Sequence, residues 1–259
     1  MTLRKKQRRD HIVALTRQHK SVSVDELADM MDVSAQTIRR DINHLCKLNV
    51  LRRRHGGAEL FEQQLNTPYD QRTTTNAAAK HAVAQAAAEM IPDGATVFIS
   101  IGTTPMMVAE ALSRRKQLTV ITNNLNAAMA LSRETTNRII LPGGELRLPD
   151  RDILGDEVAK MFESYRAEFG IFGVAGVATD GGLLDFHASE VAVREKIRSG
   201  CKTSILVLDS TKFGRVAPAV GGNIANVDRV ILDKAPDAEF APLLTQNTER
   251  LTLVEEALQ

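Results

Sequence analysis

The chain has 259 residues, 43% of them hydrophobic and 25% charged, which indicates a globular protein of two domains at roughly 150 residues each. Aromatic residues make up only 4% and Trp is absent, which argues against the stacking platforms that bind single-stranded nucleic acid. Two cysteines cannot build a disulfide framework or a zinc site, and no apolar run approaches the roughly 20 residues of a membrane helix. We therefore expect a cytoplasmic protein without metal, cofactor or membrane association.

The formal net charge of +1 hides an uneven distribution along the chain. Residues 1–60 contain 13 basic and 7 acidic residues, a net charge of +6, whereas the remainder contains 20 basic and 25 acidic residues, a net charge of −5. A basic end of this kind is typical of proteins that bind a polyanion, although a solvated basic surface has the same composition. The local pattern of the first sixty residues must decide between the two.

Three short helices are predicted in these sixty residues. Residues 3–18 fit an amphipathic helix, and Ser23 precedes Glu26 at the spacing of a capping box that opens a second helix. Ser34 can cap a third helix over residues 35–48. The apolar stripe of that helix consists of Ile38, Ile42 and Leu45. Two short helices joined by a tight turn are typical of a helix-turn-helix.

The polar face of the third helix has the residue types that read double-stranded DNA. In the major groove Gln pairs with adenine and Arg with guanine, each through two hydrogen bonds. The predicted DNA-binding residues of this helix and its cap are Ser34, Gln36, Thr37, Arg39, Arg40 and Asn43. Asp41 would repel a phosphate, so we expect it to orient a neighbouring arginine. The alternative is a packing unit of three helices with no DNA contact.

A basic hairpin is predicted directly after the third helix. Gly56 and Gly57 can supply the positive φ angles of a two-residue turn. The flanking basic residues Arg52, Arg53, Arg54 and His55 would then lie on a ribbon that grips phosphates or enters a minor groove. Together with the +6 charge, the helices and this wing predict a DNA-binding domain over residues 1–60.

The polar residues 61–76 are predicted to be a linker, and residues 77–259 a second domain. Residues 77–91 are Ala-rich and helical, with Asn76 as the expected cap. Short apolar runs then alternate with helical stretches, which predicts an open, largely parallel α/β sheet. The predicted strands cover residues 96–99, 118–122, 138–141, 168–177, 203–208 and 229–232.

Polar and glycine-rich loops follow several of these strands, where open sheets bind their ligands. Gly102, Thr103 and Thr104 lie where a strand meets a helix, so hydroxyls and free helix amides face one point, as a phosphate site requires. The alternative for so short a motif is an ordinary helix-capping turn. Further residues predicted to contact a small phosphorylated ligand are Asn123, Asn124, Gly143, Gly144, Glu145 and Lys212.

The sequence gives no reason to assign catalytic residues. Asp180, Asp185, His187, Glu190 and Glu195 could act as a general base, but no pattern places one of them at a substrate carbon. Metal-binding spacings, a nucleophile elbow and a Walker loop are all missing from the sequence. A sugar-phosphate isomerase with a DNA-binding appendage stays open as an alternative.

The combined landmarks resemble the DeoR family of bacterial repressors. The resemblance rests on residues 33–41 and 55–58 in the first domain, and on Gly102-Thr103-Thr104, Thr122-Asn123, Gly143-Gly144 and Lys212-Phe213-Gly214 in the second. It implies a winged helix-turn-helix followed by a domain with the fold of ribose-5-phosphate isomerase, whose old active site senses a sugar or polyol phosphate. It also implies a homo-oligomer that releases operator DNA when this effector binds.

Closer landmarks resemble one branch of the family, and this resemblance implies glycerol 3-phosphate as the effector. They cover residues 66–69, 98–105, 122–126, 139–147, 183–186 and 213–215. One departure concerns Ser100, where many family members carry Asp, an acceptor for polyol hydroxyls. The expected function is therefore a repressor of glycerol catabolism genes, and a repressor of the same build that senses another sugar phosphate is the second possibility.

Overall fold

The computed structural model describes residues 5–19, 21–47, 51–54, 56–60 and 67–254. The chain divides into two compact units, residues 1–65 and 66–259. None of the helices in the described ranges is both long and apolar enough to cross a bilayer.

The first unit contains the three predicted helices: α1 (Lys5–His19), α2 (Val24–Met31) and α3 (Ala35–Lys47). The capping box at α2 is confirmed, because the Glu26 amide donates to Ser23 Oγ at 3.1 Å and the Ser23 amide donates to Glu26 Oε2 at 3.3 Å. At α3 the Thr37 amide donates to Ser34 Oγ at 3.3 Å. These caps fix the tight turn between α2 and α3.

A three-stranded antiparallel sheet completes this unit. Its strands β1 (Ser21–Ser23), β2 (Leu51–Arg54) and β3 (Gly57–Leu60) lie in the order β1-β3-β2. The apolar stripe of α3 packs on this sheet and on α1 and α2, around the buried residues Ile12, Leu27, Ile38, Ile42 and Leu51. The observed architecture is a winged helix-turn-helix, as the sequence predicts.

The two glycines of the wing have different roles. Gly56 has a φ of +77° and forms the turn, but Gly57 has no positive φ and belongs to β3. A Cβ on Gly57 would lie 2.1 Å from the Val22 carbonyl oxygen, so glycine is required there by the close approach of β1. The prediction of two positive φ angles is wrong for Gly57, because β1 pairs with β3 at this residue.

The second unit is built on a seven-stranded, entirely parallel sheet in the order β15-β14-β12-β9-β4-β5-β6. The strands are β4 (Thr96–Ile99), β5 (Thr119–Thr122), β6 (Arg138–Ile140), β9 (Ala167–Phe172), β12 (Cys201–Leu208), β14 (Arg229–Leu232) and β15 (Leu251–Leu253). This sheet confirms the predicted open α/β fold.

Helices cover both faces of the parallel sheet. They are α5 (Ala77–Glu89), α6 (Thr103–Ala111), α7 (Leu125–Leu131), α8 (Asp156–Glu163), α9 (Ala188–Gly200) and α10 (Ala241–Gln246). Successive side chains of β4 point to opposite faces of the sheet, so Val97 and Ile99 pack in one hydrophobic cluster and Phe98 packs in the other. The rings of Phe98 and Phe162 meet edge to face, with their centroids 5.2 Å apart. Because helices cover both faces of the sheet, side chains on both faces are buried, which explains why the strands are continuous apolar runs.

Two small antiparallel sheets complete the second unit. The first is the hairpin β7 (Leu146–Arg147) with β8 (Asp152–Ile153). The second joins β10 (Gly176–Val177), β11 (Gly182–Asp185) and β13 (Ala219–Asn223). The predicted single strand over residues 168–177 is therefore two strands, β9 and β10.

The segment predicted to be a linker is partly folded into the second unit. Residues 61–66 lie outside the described ranges, but helix α4 (Tyr69–Thr74) follows, and its Tyr69 is buried in a hydrophobic core with residues of α5 and α6. Asn76 is the N-cap residue of α5, as predicted, but its side chain makes no capping hydrogen bond. It has a φ of +53°, and its side-chain amide donates to Asp209 Oδ1 at 3.2 Å and to Thr211 Oγ1 at 3.3 Å.

Candidate functional site

A cleft opens beyond the carboxyl ends of the central strands of the second unit. Its floor contains the loop from β4 to α6, the segment after β9 and the segment after β12. The cleft has about 580 Å³ of space, including the solvent at its mouth. Its charged lining residues are Arg72, Arg147, Asp150, Asp152, Asp185, Glu190, Lys212 and Arg215. This is the position where open α/β sheets bind ligands.

One end of the cleft is the N-terminus of α6. Gly102 is its N-cap, with a φ of +110°, and no side chain caps the helix. Thr103 and Thr104 begin the helix and also line the cleft. The first amides of a helix carry a partial positive charge and point out of its end, so this end suits an anion.

Lys212 lines the cleft together with the start of α6. In the described part of the chain its ammonium group has neither a hydrogen-bond partner nor an ion-pair partner. Burial, and after it the nearby charge of Arg215, lowers the pKa of Lys212 to about 8, against the opposing effect of Asp209. An anion bound beside this ammonium group would favour its charged form.

Three further cations lie near Lys212. Arg72 from α4 donates to the Thr67 carbonyl at 2.8 Å and forms an ion pair with Asp150. The guanidinium carbon of Arg215 lies 5.2 Å from the centroid of the Phe186 ring. Lys80 is buried and donates to the Arg72 carbonyl at 2.5 Å, and burial lowers its pKa. This end of the cleft is therefore strongly cationic.

The hairpin β7–β8 supplies carboxylates to the cleft. Arg147 donates to both oxygens of Asp152 at 2.8 and 2.7 Å and to Glu190 Oε1 at 3.0 Å. Burial raises the pKa of Asp152, while Arg147 opposes the shift. The other oxygen of Glu190 accepts from the Phe186 amide at 3.2 Å. These groups are held in place and still have lone pairs for a ligand hydroxyl.

Asp185 is a further carboxylate in the cleft. Its Oδ2 accepts from Arg194 Nε at 2.8 Å and its Oδ1 from the Ala175 amide at 3.1 Å. Burial raises the pKa of Asp185 to about 6, with Arg194 as the main opposing charge. Arg194 is only 2% exposed and also donates to the Gly221 carbonyl at 2.7 Å. The Asp185–Arg194 ion pair is thus a fixed part of the cleft wall.

The predicted ligand residues Asn123 and Asn124 do not line the cleft; they support its loops from beneath. Asn123 is buried, and its amide donates to the Ile153 carbonyl at 2.8 Å. Asn124 caps α7 by accepting from the Ala127 amide at 3.2 Å. Its own amide donates to the carbonyls of Ser100 at 3.2 Å and Gly102 at 3.1 Å. Asn124 therefore fixes the loop that begins α6.

The predicted loop of Gly143, Gly144 and Glu145 also lies away from the cleft. Gly143 and Gly144 line a separate depression beside α8, and Glu145 is exposed. The cleft is lined instead by Arg72, Arg147 and Arg215, which the sequence did not single out. The sequence signal for Arg147 and Arg215 was their position inside the wider landmarks 139–147 and 213–215, whereas Arg72 lies outside the landmark 66–69.

The first unit presents the predicted DNA-binding residues of α3. Gln36, Arg39 and Arg40 are exposed, while the apolar stripe faces the core. Arg53 of β2 donates from Nε to Asn43 Oδ1 at 2.8 Å, so the wing is bonded to the predicted recognition helix. The backbone of Arg52 and Arg54 lies in β2, and His55 falls outside the described residues.

Asp41 holds arginine side chains, as the sequence predicts. It is buried, and its two oxygens accept from Arg8 Nε and Arg9 Nε, each at 2.7 Å. The carboxylate is thereby removed from the polar face of α3 and joins α1 to α3.

Comparison with known proteins agrees with both units. The DeoR-like helix-turn-helix domain family matches residues 8–64, and the DeoR C terminal sensor domain family matches residues 75–234. The glycerol-3-phosphate regulon repressor of Escherichia coli is 41% identical over 251 residues, which are 97% of this chain and 100% of that protein. The protein of the same name from Haemophilus influenzae is 38% identical over 93% of this chain and 94% of its own length.

A second kind of relative and a solved structure are also similar. The HTH-type transcriptional repressor CsqR of Escherichia coli is 34% identical over 96% of this chain and 95% of its own length. Among solved structures, ribose 5-phosphate isomerase A from Neisseria gonorrhoeae is 17% identical, with a TM-score of 0.38 over 53% of each chain.

Proposed function

Because this chain belongs to the DeoR family of DNA-binding transcriptional repressors, we propose that it represses genes of glycerol catabolism and leaves its operator when glycerol 3-phosphate occupies the cleft. Two named relatives are repressors of a glycerol-3-phosphate regulon. The observation that carries the effector assignment is the uncapped start of α6 beside Lys212, whose ammonium group has no partner in the described part of the chain.

The two ends of the cleft support a phosphate monoester with an uncharged, hydroxylated tail. The phosphate would bind the amides of α6 and the cations Lys212 and Arg215. Hydroxyl groups can donate to Asp185 and Glu190, which also line the cleft. A second acidic group on the ligand would meet these carboxylates and be repelled. Glycerol 3-phosphate fits both requirements.

The first unit supports operator recognition by α3 and the wing. In this proposal Gln36 and Arg40 contact base edges, and Arg53 and its neighbours in β2 contact phosphates. In this proposal, residues 1–60 form the DNA-binding head. Residues 77–259 form the sensor. The repressor works as a homo-oligomer in the cytoplasm, where operator DNA is found.

Calorimetric titration with glycerol 3-phosphate tests the effector assignment. The wild-type chain should bind it, and Lys212→Met should weaken binding by on the order of tenfold or more, because a charge-assisted phosphate contact is lost. Lys202→Met is the matched control, since Lys202 is exposed and lies outside the cleft. Equal affinity of the two variants would show that the phosphate is bound elsewhere.

Operator titration tests the regulatory step. An effector changes operator affinity only through different affinities for the bound and released states, a coupling of typically about 1–3 kcal/mol. Saturating glycerol 3-phosphate should weaken operator binding accordingly. Unchanged operator affinity would remove glycerol 3-phosphate as the effector, and a panel of hexose and pentose phosphates would then test the same build with another ligand.

We propose that the cleft performs no catalysis. The carboxylates that could act as bases are all held by protein donors: Asp185 by Arg194, Glu190 by Arg147, and Glu195 by Arg194 and Arg198. Asp180 accepts from the Gly182 amide at 2.9 Å in a turn. Turnover of a sugar phosphate that is abolished by Glu195→Gln or Asp180→Asn would contradict this and revive the isomerase alternative.

A further inference from the structure

Arg72 joins the effector cleft to the first turn of α4. Its guanidinium group lines the cleft, where Nη2 forms an ion pair with Asp150, while Nε donates to the Thr67 carbonyl at 2.8 Å. Thr67 lies just before α4, two positions after Leu65, the last residue of the first unit. One side chain therefore contacts both the cleft and the segment by which the chain enters the second unit.

Helix α4 has few other contacts that fix its position. It contains six residues, and its N-cap Pro68 makes no side-chain capping hydrogen bond. Tyr69 is buried in the core. Asp70 pairs with Arg151 at 3.3 Å, but the Asp70 side chain is 81% exposed, and such surface pairs contribute little. A helix this short is not stable by itself, so its first turn depends strongly on the bonds of Arg72.

The partners of Arg72 can be exchanged without leaving a charge unpaired. Asp150 also lies 3.6 Å from Arg147 Nη2, so it keeps a cation if Arg72 moves away. Lys80 donates to the Arg72 carbonyl at 2.5 Å, and it has a second acceptor nearby in Asp209, whose charge raises the pKa of Lys80. Asp209 Oδ2 is buried and has no hydrogen-bond partner among the described residues. Because an unpaired buried acceptor is unfavourable, a second arrangement that gives Asp209 a donor is accessible.

We propose that Arg72 is the residue through which the cleft acts on the chain segment that leads to the DNA-binding head. This rests on the proposed function, in which a phosphate binds the start of α6 and Lys212. A phosphate monoester carries about twice the charge of a carboxylate. The phosphate therefore competes with Asp150 for the guanidinium group, which then releases the Thr67 carbonyl and with it the first turn of α4.

Thermodynamic linkage determines which affinity each arrangement favours. The effector weakens operator binding in the proposed function, so the arrangement that the phosphate displaces is the one that binds the operator more tightly. The Arg72–Asp150 pair thus favours operator binding and opposes effector binding. Weakening this pair should change the two affinities in opposite directions, whereas loss of a contact that only stabilises the fold would not tighten effector binding.

Asp150→Asn in the full-length chain tests the proposal, because it removes the competing charge and keeps the size of the side chain. In calorimetry the variant should bind glycerol 3-phosphate more tightly than wild type, by on the order of threefold or more. In operator titrations without any ligand it should bind the operator more weakly by a similar factor. The loss of operator affinity at saturating effector, typically about 5–150-fold for such coupling, should shrink accordingly.

Asp70→Asn is the matched control. Asp70 also joins α4 to the turn between β7 and β8, through Arg151, but it does not line the cleft. Both affinities of this variant should equal those of wild type. Arg72→Lys is a second test, since it keeps the positive charge but lacks the planar group that bonds Thr67 and Asp150 together. It should still bind glycerol 3-phosphate and lose less operator affinity on saturation than wild type.

Two results would overturn the proposal: wild-type affinities in Asp150→Asn, and a weakening of both effector and operator binding in that variant. Equal effects of Asp150→Asn and Asp70→Asn would also contradict it. Failure of the proposed effector gives a different result, because the operator affinity of the wild-type chain would then not respond to glycerol 3-phosphate. Weaker operator binding by Asp150→Asn without any ligand would still support the role of Arg72.

Discussion

At the scale of single residues, Lys212 connects the electrostatics of the cleft with a measurable pH dependence. Its pKa of about 8 lies below the ordinary lysine value of 10.5 because the ammonium group is buried near Arg215. Between these two values the unfolded chain binds more protons than the folded chain. Lys212 therefore makes the folded state more stable as the pH rises through this window.

The same shift predicts how effector affinity depends on pH. A bound phosphate favours the charged ammonium group, so above a pH of about 8 binding must take up a proton. The effector affinity should fall as the pH rises, and the fall should approach about tenfold per pH unit. The phosphate does not contribute to this change, because the second pKa of a phosphate monoester is about 6 and the ligand is already a dianion. Calorimetry across this range measures it. Lys212→Met should bind weakly with a flat profile, and a profile as steep as wild type would contradict the assignment to Lys212.

Residue-scale predictions succeeded where the signal is local. The capping box of Ser23 and Glu26 joins residues three positions apart, and spacing alone reveals it. Asp41 was correctly expected to hold an arginine, but its partners Arg8 and Arg9 lie 33 and 32 positions away and could not be named. The cleft shows the same limit: Arg72 meets Asp150 over 78 positions and Arg147 meets Glu190 over 43. Only the tertiary fold brings such residues together.

At the scale of elements, the wing depends on the close approach of β1 and β3. A Cβ on Gly57 would overlap the Val22 carbonyl, whereas a Cβ on Gly56 would have no atom within 4 Å and would face only the cost of its φ of +77°. Gly56→Ala should cost about 1–2 kcal/mol of unfolding free energy. Gly57→Ala should cost more, because backbone atoms of β1 must move.

Thermal unfolding of the two variants, followed by operator titration, measures this difference. Gly57→Ala should also weaken operator binding, since the wing is displaced from α3. Equal stability of the two variants would mean that β1 does not constrain the wing.

The elements of the second unit were predicted well where strands are buried and apolar. Each of the six runs identified in the sequence contains a strand of the parallel sheet. The run over residues 168–177 also contains β10 of a small antiparallel sheet, and β15 was not predicted. Helix α4 was missed because its residues are polar and it has only six of them. Tyr69 stabilises α4 because its side chain is buried in the hydrophobic core. The guanidinium carbons of Arg72 and Arg151 each lie 5.6 Å from the centroid of its ring.

At the scale of the whole molecule, the basic first sixty residues and the acidic remainder predict separable effects on DNA binding. Arg52→Ala or Arg53→Ala should weaken binding to every sequence and reduce the salt-dependence slope by about 0.9 per lost phosphate contact. Gln36→Ala or Arg40→Ala should instead cost about 1–3 kcal/mol on the operator and relax base preference. Titrations of operator and unrelated DNA at several salt concentrations distinguish them. Identical behaviour of all four variants would refute the division between helix and wing.

The hairpin β7–β8 has a consequence for how such repressors diversify. Arg147 and Asp152 reach the cleft from two strands of two residues each, outside the seven-stranded sheet. Leu148 between them is 74% exposed, so its side chain belongs to neither hydrophobic core, whereas Ile153 of β8 packs against one of them. In the proposed effector complex, a substitution of Arg147 would release Glu190, one of the two carboxylates expected to meet the hydroxylated tail. Paralogues with the same proposed phosphate site would then differ in their inducers through exchanges at this arginine.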